Sequence, residues 1–100
     1  MGVKISVEGD VLTALLEGDI DHHTAKAMRE SIDESSVKFK PKLMNIDFSK
    51  VQFMDSSGIG LIMGRYKLML KTKGNLKVIN VPARLERMVK LSGLAALGIF

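Results

Sequence analysis

The segment at residues 53–60, Phe-Met-Asp-Ser-Ser-Gly-Ile-Gly, constrains the fold more than any other part of this chain. It follows an apolar strand-like run and opens an apolar helix-like run, so the chain turns here from a strand directly into a helix. The turn carries a carboxylate, two hydroxyls and two glycines at the positive end of the helix dipole. Because glycine has no side chain, another backbone can approach closely there. We expect this turn either to present a serine for modification or to dock a partner.

Apolar periodicity along the rest of the chain predicts an α/β fold. Residues 3–8 alternate between apolar and polar side chains, which is the period of a half-buried strand, and a Gly9-Asp10 turn leads into a second strand at 11–16. Helices are predicted after Asp21, Asp55 and Pro82, and further strands at 43–48, 76–81 and 97–100. The order β-β-α-β-α-β-α-β indicates one domain over residues 1–100, with a mixed, mostly parallel sheet of four or five strands and helices packed on it.

Asp21 is predicted to begin the first helix, because its carboxylate can accept hydrogen bonds from the amides of the first turn. The helix after Asp55 is predicted to run to about Lys71, and one of its stripes is apolar and should meet the sheet: Ile59, Ile62, Tyr66 and Met69. A second stripe begins with Gly60 and Gly64, each of which costs roughly 1 kcal/mol relative to alanine inside a helix. Close packing within the fold would explain these glycines, and so would the close approach of a partner.

Composition excludes several kinds of site and indicates a globular protein. Hydrophobic residues make up 46% of the sequence, and it contains no cysteine. Disulfides, thiolate metal sites and cysteine nucleophiles are therefore excluded, and the composition fits a reducing cytoplasm. The first residues read as a strand and lack the apolar core of a signal peptide. Apolar runs stay well short of the roughly 20 residues that span a bilayer, so we expect no membrane segment.

Charge is distributed unevenly along the chain. Residues 1–36 carry eight acidic and three basic side chains, and residues 37–100 carry three acidic and twelve basic ones, so −5 and +9 sum to the net +4. Such asymmetry can steer a charged partner, and it leaves open a basic module that binds nucleic acid or a nucleotide. The lysines are not interleaved with aromatic residues, and the chain has no Trp and one Tyr, which argues against a surface that stacks nucleic-acid bases.

Catalytic and metal sites find little support in the sequence. A serine hydrolase needs a base beside its serine, and His22 and His23 are the only histidines, but the G-x-S-x-G elbow is missing around Ser56. Metal binding by this pair is disfavoured, because adjacent imidazoles are expected to project apart and a third ligand is not evident. The phosphate-binding patterns G-x-x-x-x-G-K and G-x-G-x-x-G are also missing. We therefore expect no catalytic residue, no metal and no cofactor.

Ser56 has two interpretations that residue chemistry alone leaves open. As a phosphorylation site it needs only an exposed hydroxyl on an accessible turn, and a phosphate would add roughly −1.5 to −2 charges beside Asp55. The helix N-terminus would partly tolerate that charge, whereas a partner docked on the bare turn would meet bulk and like charge. Alternatively, Ser56 and Ser57 merely cap the helix.

Three segments carry a likeness to one known family. Residues 18–25, Gly-Asp-Ile-Asp-His-His-Thr-Ala, are similar to a family turn that reads G-E-L-D-H-H-T-A. Residues 53–60, and then 64–67, are similar to family segments that read F-M-D-S-S-G-L-G and G-R-Y-K. Residues 91–94, Leu-Ser-Gly-Leu, are similar to M-S-G-L. Together these segments resemble the bacterial anti-sigma factor antagonists of the STAS family, most closely the sporulation-type antagonists, over nearly the whole chain.

The resemblance implies a partner-switching function. In the family, the unphosphorylated antagonist binds an anti-sigma factor that is also a serine kinase, which frees the sigma factor. The kinase uses ATP to phosphorylate the serine after the motif aspartate, which is Ser56 here, and a serine phosphatase restores it. The chain would thus be a kinase substrate and a binding module rather than an enzyme. The implied partner-binding residues are Asp21, His22, Asp55, Ser56, Ser57, Gly58, Ile59, Gly60 and Arg65.

One departure from the family pattern concerns the last residues. The family continues past its last strand into a C-terminal helix, whereas the sequence here ends at Phe100. The resemblance therefore implies a single STAS domain that lacks this helix. We expect apolar surface to be uncovered as a result, at Ala95, Leu97 and Ile99.

Overall fold

The computed structural model describes residues 2–100, which form four strands, three α-helices and one short 3₁₀ helix. In chain order the elements are β1 (Gly2–Glu8), β2 (Val11–Glu17), α1 (His22–Phe39), β3 (Leu43–Lys50), α2 (Ser56–Lys71), β4 (Asn75–Ile79), α3 (Ala83–Leu91) and the 3₁₀ helix (Leu94–Leu97). The predicted domain also includes Met1, which lies outside the described residues. Within residues 2–100, every helix is too short or too polar to cross a membrane.

The sheet is mixed and mostly parallel, as the sequence predicts. Its strand order is β1-β2-β3-β4. β1 pairs antiparallel with β2 through a two-residue turn, whereas β2 with β3 and β3 with β4 are parallel pairs. Each parallel pair is joined by a helical crossover, α1 or α2. Because β2 and β3 are parallel neighbours, their carboxyl ends meet at one edge of the sheet, and the loops that begin α1 and α2 leave from that edge.

The hydrophobic core lies between the sheet and the helices. Every second side chain of β2 is fully buried, and the corresponding positions of β3 are at most 1% exposed: Leu12, Ala14, Leu16, Met44, Ile46 and Phe48. From α1, Met28 and Ile32 pack into the same core. The apolar stripe predicted for α2 is confirmed, since Ile62 and Met69 are buried while Ile59 and Tyr66 are partly buried against the core.

The predicted last strand at 97–100 is wrong. The chain forms the 3₁₀ helix instead, and Gly98 then adopts a positive φ of 70°, which interrupts an extended backbone. One hydrogen bond, from Val78 N to Ile99 O at 2.6 Å, still attaches this segment to β4. Ile99 is consequently buried, contrary to expectation, whereas Ala95 and Leu97 are exposed as expected.

Shortening a buried side chain at the centre of β3 should lower the stability of the fold. We predict that Ile46→Ala lowers the free energy of unfolding by about 2–5 kcal/mol, because Ile46 is fully buried and the methyl groups removed leave a cavity. Val37→Ala is the control, since Val37 is 73% exposed and its loss should change stability by about 0.5 kcal/mol or less. Urea unfolding followed by circular dichroism measures both. Equal effects of the two substitutions would contradict this core.

Candidate functional site

The loops that begin α1 and α2 are joined to each other by backbone hydrogen bonds. Ile20 N donates to Phe53 O at 2.9 Å, and Asp55 N donates to Ile20 O at 3.0 Å. Ile20 and Met54 form a parallel bridge at this point, and both side chains are fully buried. The next residue of each loop enters a helix. The N-termini of α1 and α2, and the motif residues on them, are therefore adjacent.

Asp21 caps α1, as the sequence predicts. Its Oδ1 accepts hydrogen bonds from His23 N at 2.8 Å and Thr24 N at 2.9 Å. In return, Asp21 N donates to Thr24 Oγ1 at 2.9 Å, which completes a reciprocal capping box. Thr24 Oγ1 also donates to Asp19 O at 2.9 Å. These bonds fix the start of α1 and orient the Asp21 carboxylate.

Asp55 caps α2, and this leaves Ser56 free. Asp55 Oδ1 accepts from Ser57 N at 2.7 Å, and Asp55 O accepts from Gly58 N at 3.0 Å. Ser56 is the first residue of α2 and is exposed, while Ser57 is half-buried. Within residues 2–100, the Ser56 hydroxyl makes no hydrogen bond. Asp55, rather than either serine, supplies the side-chain cap, so the capping interpretation of Ser56 does not hold.

Two glycines of the motif serve different purposes. A Cβ on Gly58 would lie 2.5 Å from Met54 Sδ, so the buried Gly58 allows α2 to pack tightly on its own loop. A Cβ on Gly60 or Gly64 would meet no atom within 4 Å. Packing within the fold therefore does not explain Gly60 and Gly64. Of the two explanations left open by the sequence, the close approach of a partner remains for Gly60, which is exposed, whereas nothing in the structure explains the half-buried Gly64.

A groove of about 330 Å³ lies between α1 and α2 at the first turns of the two helices. It is lined by His22, Ala25, Lys26, Arg29, Ser57, Gly60 and Leu61. It thus brings together three of the residues that the resemblance assigns to partner binding: His22, Ser57 and Gly60. Its α1 wall is basic, since Lys26 and Arg29 are both exposed.

The two histidines stack on each other instead of projecting apart. Their ring centroids are 4.0 Å apart and the rings are tilted by 39°. His23 Nδ1 is 3.9 Å from Asp21 Oδ1, and neither ring is hydrogen-bonded to Ser56 within residues 2–100. In the same residues, no group of three or more His, Asp or Glu side chains is arranged to hold a metal ion.

Arg65 lies in the interior between α1 and α2, apart from the other predicted partner-binding residues. It is only 6% exposed, and its Nε is 2.8 Å from Asp33 Oδ1. The Nε–H is not directed at that oxygen and Nη1 lacks a partner within residues 2–100, so the contact is an ion pair by distance alone. Burial lowers the pKa of the Arg65 guanidinium, and the Asp33 charge opposes this. Arg65 thus joins α1 to α2 and is inaccessible to a large partner.

Sequence reasoning missed two residues that support or extend this surface. Phe53 is 56% exposed next to the capped turn. Arg84, from α3, donates to Gln52 O and Val51 O, both at 2.9 Å, and so holds the loop before α2. Arg84 is 32 and 33 residues away from these carbonyls, so local patterns carry no signal for the contact.

Removing the α1 cap should destabilise the fold in a pH-dependent way. We predict that Asp21→Ala lowers the free energy of unfolding at neutral pH, because two amides lose their acceptor. Hydrogen bonds from the Thr24 and His23 amides hold the pKa of Asp21 below its ordinary value of 3.8. The ionised Asp21 carboxylate therefore makes its full contribution to the free energy of unfolding at pH values above 3.8. That contribution is lost as the pH falls through the lowered pKa of Asp21 in the folded state.

Urea unfolding of the wild type and Asp21→Ala across a pH series checks this prediction. The two stabilities should converge only in acid. Asp19→Ala is the matched control, since the Asp19 carboxylate accepts no hydrogen bond within residues 2–100 and its removal should change little. A stability difference that stays constant through the acid range would contradict the role of the ionised carboxylate.

Comparisons with known proteins agree with this geometry. The sequence model of the STAS domain family matches residues 3–99. An anti-sigma F factor antagonist from Paenibacillus polymyxa is 36% identical over 96 residues, which cover 94% of this chain and 82% of the relative. The anti-sigma-B factor antagonist of Bacillus subtilis is 32% identical over 97 residues, which cover 94% of this chain and 86% of the relative.

Solved structures give the same result. SpoIIAA, an anti-sigma factor antagonist, superposes in its unphosphorylated form with a TM-score of 0.81 at 25% identity, covering 92% of this chain and 81% of that one. SpoIIAA in its phosphorylated form has the same fold, with a TM-score of 0.74 at 24% identity, covering 94% and 86%. The sheet order, the paired helix N-termini and these relatives together lead to one conclusion: the chain belongs to the STAS domain family, and its relatives there are anti-sigma factor antagonists.

Proposed function

We propose that this chain is an anti-sigma factor antagonist whose binding is switched by phosphorylation of Ser56. In its unphosphorylated form it binds an anti-sigma factor that is also a serine kinase, and the sigma factor is released. The kinase transfers the γ-phosphoryl group of ATP to Ser56 Oγ, with loss of the hydroxyl proton and release of ADP, and a serine phosphatase hydrolyses the phosphoester. The single observation that carries this proposal is the exposed, unbonded Ser56 hydroxyl at the start of α2.

The docking surface combines residues from both helix starts. We assign to it the exposed or half-buried residues Asp21, His22, Phe53, Asp55, Ser56, Ser57, Ile59 and Gly60. Gly58 contributes by its packing against Met54 rather than by contact with a partner. Arg65 is omitted because of its burial. An aromatic side chain beside an uncovered stretch of helix is typical of a protein interface.

Charge explains why a phosphate would act on binding rather than on the fold. The phosphate would add roughly −1.5 to −2 charges at the N-terminus of α2. The positive end of the α2 dipole would partly offset this negative charge. Asp21 and Asp55 already place two carboxylates at this surface, and both accept amide hydrogen bonds. A partner fitted to the bare turn would meet added bulk and a third negative group. The chain itself is therefore the substrate of the switch and a binding module, with no catalytic step of its own.

Substitutions at Ser56 should separate binding from phosphorylation. We predict that Ser56→Asp weakens binding to the anti-sigma factor by about a hundredfold or more, because a fixed negative charge faces the partner. Ser56→Ala should bind like the wild type but accept no phosphate. Calorimetry and a phosphorylation assay with the anti-sigma factor of the same genome measure the two effects. Ser6→Ala, which removes an exposed hydroxyl on β1 outside the docking surface, should behave as the wild type in both; tight binding by Ser56→Asp would contradict the proposal.

Gly60 offers a test in which stability and function should move in opposite directions. We predict that Gly60→Ala stabilises the fold by up to about 1 kcal/mol, since the Cβ enters open space and the helix gains propensity. The same Cβ should weaken partner binding by about tenfold or more, because it stands where the partner packs. Gly64→Ala is the matched control, with equally open space one turn further along α2.

Thermal unfolding and calorimetry measure the two glycine variants side by side. Both should be as stable as the wild type or more so, and only Gly60→Ala should lose affinity. Full affinity in Gly60→Ala would remove this residue from the docking surface.

A further inference from the structure

The end of the molecule opposite Ser56 has its own surface chemistry. Because β2, β3 and β4 are parallel, α1 and α2 both end at the amino edge of the sheet. We call the last residues of these helices and the loops that follow the basic end, defined as residues 37–42 and 70–74. The two loops abut: Asn75 N donates to Lys42 O at 2.8 Å, and a Cβ on Gly74 would lie 3.0 Å from that oxygen.

The basic end has five lysines and no acidic residue. All five are exposed: Lys38, Lys40, Lys42, Lys71 and Lys73. Within residues 2–100, none of them has a carboxylate oxygen within 4 Å. The adjoining hairpin turn contributes two exposed acidic residues, Glu8 and Asp10, which leaves a net excess of positive charge. Lys38 and Lys71 also complement the dipoles of α1 and α2, but that role does not extend to the other three.

Exposed apolar side chains lie among these lysines. Val37 is 73% exposed, Leu70 is 55% exposed and Phe39 is 46% exposed. Lys38 Nζ lies 5.2 Å from the centroid of the Phe39 ring. Neither helix capping nor the core requires apolar groups here. Together with unpaired ammonium groups, they form an amphiphilic patch.

We propose that the basic end binds an anionic membrane surface. Lipid phosphates attract lysine ammonium groups, and apolar side chains such as Phe39 can enter the boundary between headgroups and acyl chains. A surface that binds single-stranded nucleic acid instead combines basic groups with several stacking rings, and Phe39 is the single aromatic residue in these ranges. A duplex is contacted mainly through its phosphates, which would leave the exposed Val37 and Leu70 without an apolar partner. In the membrane-bound orientation, Ser56 faces away from the lipid. Adsorption and the Ser56 surface can therefore operate on the same molecule.

Co-sedimentation with vesicles tests the proposal. The wild type should pellet with phosphatidylcholine vesicles that contain phosphatidylglycerol, and not with phosphatidylcholine alone, and added salt should weaken the binding. The triple variant Lys38→Gln/Lys42→Gln/Lys71→Gln should bind roughly a hundredfold more weakly, at about fivefold for each lysine. The control Lys26→Gln/Lys50→Gln/Lys90→Gln removes the same charge elsewhere and should retain most of the binding.

Two phenylalanine variants, one at each end of the molecule, test how much apolar side chains contribute to vesicle binding. Phe39→Gln should weaken vesicle binding by about tenfold, whereas Phe53→Gln, of similar exposure beside Ser56, should not change it. Circular dichroism confirms that each variant is folded.

Two results would overturn the proposal. One is failure of the wild type to pellet with anionic vesicles at low salt. The other is equal loss of binding in each variant and its control. Retention of duplex DNA or RNA by the same lysines without vesicle binding would assign the basic end to nucleic acid instead.

Discussion

The two backbone hydrogen bonds that join Ile20 to Phe53 and Asp55 determine where the functional residues lie. They close the gap between two loops that leave neighbouring strands, and they are shielded by the fully buried Ile20 and Met54. Without them, the starts of α1 and α2 would be positioned only by their strands. Arg84 supports the same loop from α3, through two further carbonyls. A partner therefore meets a preformed surface made from two segments more than 30 residues apart in sequence.

The proposed switch needs a surface that can change its charge without a change of fold, and the caps and Gly60 fit that requirement. Asp21 and Asp55 satisfy the first amides of both helices, so no serine hydroxyl is needed for stability. The Ser56 hydroxyl is consequently available for chemistry at the positive end of a helix dipole. Gly60 adds a stretch of helix with open space around it. The unbonded Ser56 hydroxyl and Gly60 are neutral or costly for the isolated domain, and the proposed intermolecular contact accounts for both.

Local patterns predicted the fold and the points at which α1 and α2 begin. The cap at Asp21 involves residues two and three positions away, so sequence spacing was enough to find it, whereas α2 is capped by Asp55 and not by the serines that the sequence offered. The strands and the α2 stripe followed from apolar periodicity. The segment at 97–100 was mistaken for a strand because its apolar residues outweighed Gly98, whose positive φ decides the backbone there.

Long-range contacts account for the other differences. The resemblance implied that Arg65 binds a partner, but α1 supplies Asp33 across the helix interface and Arg65 is buried there. Arg84 lies far in sequence from the carbonyls it binds. The basic end forms only when two αβ loops meet at one edge of the sheet. The stacking of His22 on His23 likewise depends on the backbone of the first turn of α1.

The measurement that tests the central claim most directly is the intact mass of the protein, with site mapping, after incubation with its anti-sigma factor kinase and ATP. The account predicts a single added phosphate, located on Ser56. A phosphate on another residue, or no phosphate from a kinase that is active on another substrate, would contradict it. Either result would leave the STAS fold unchanged but would show that Ser56 is not the phosphorylation switch.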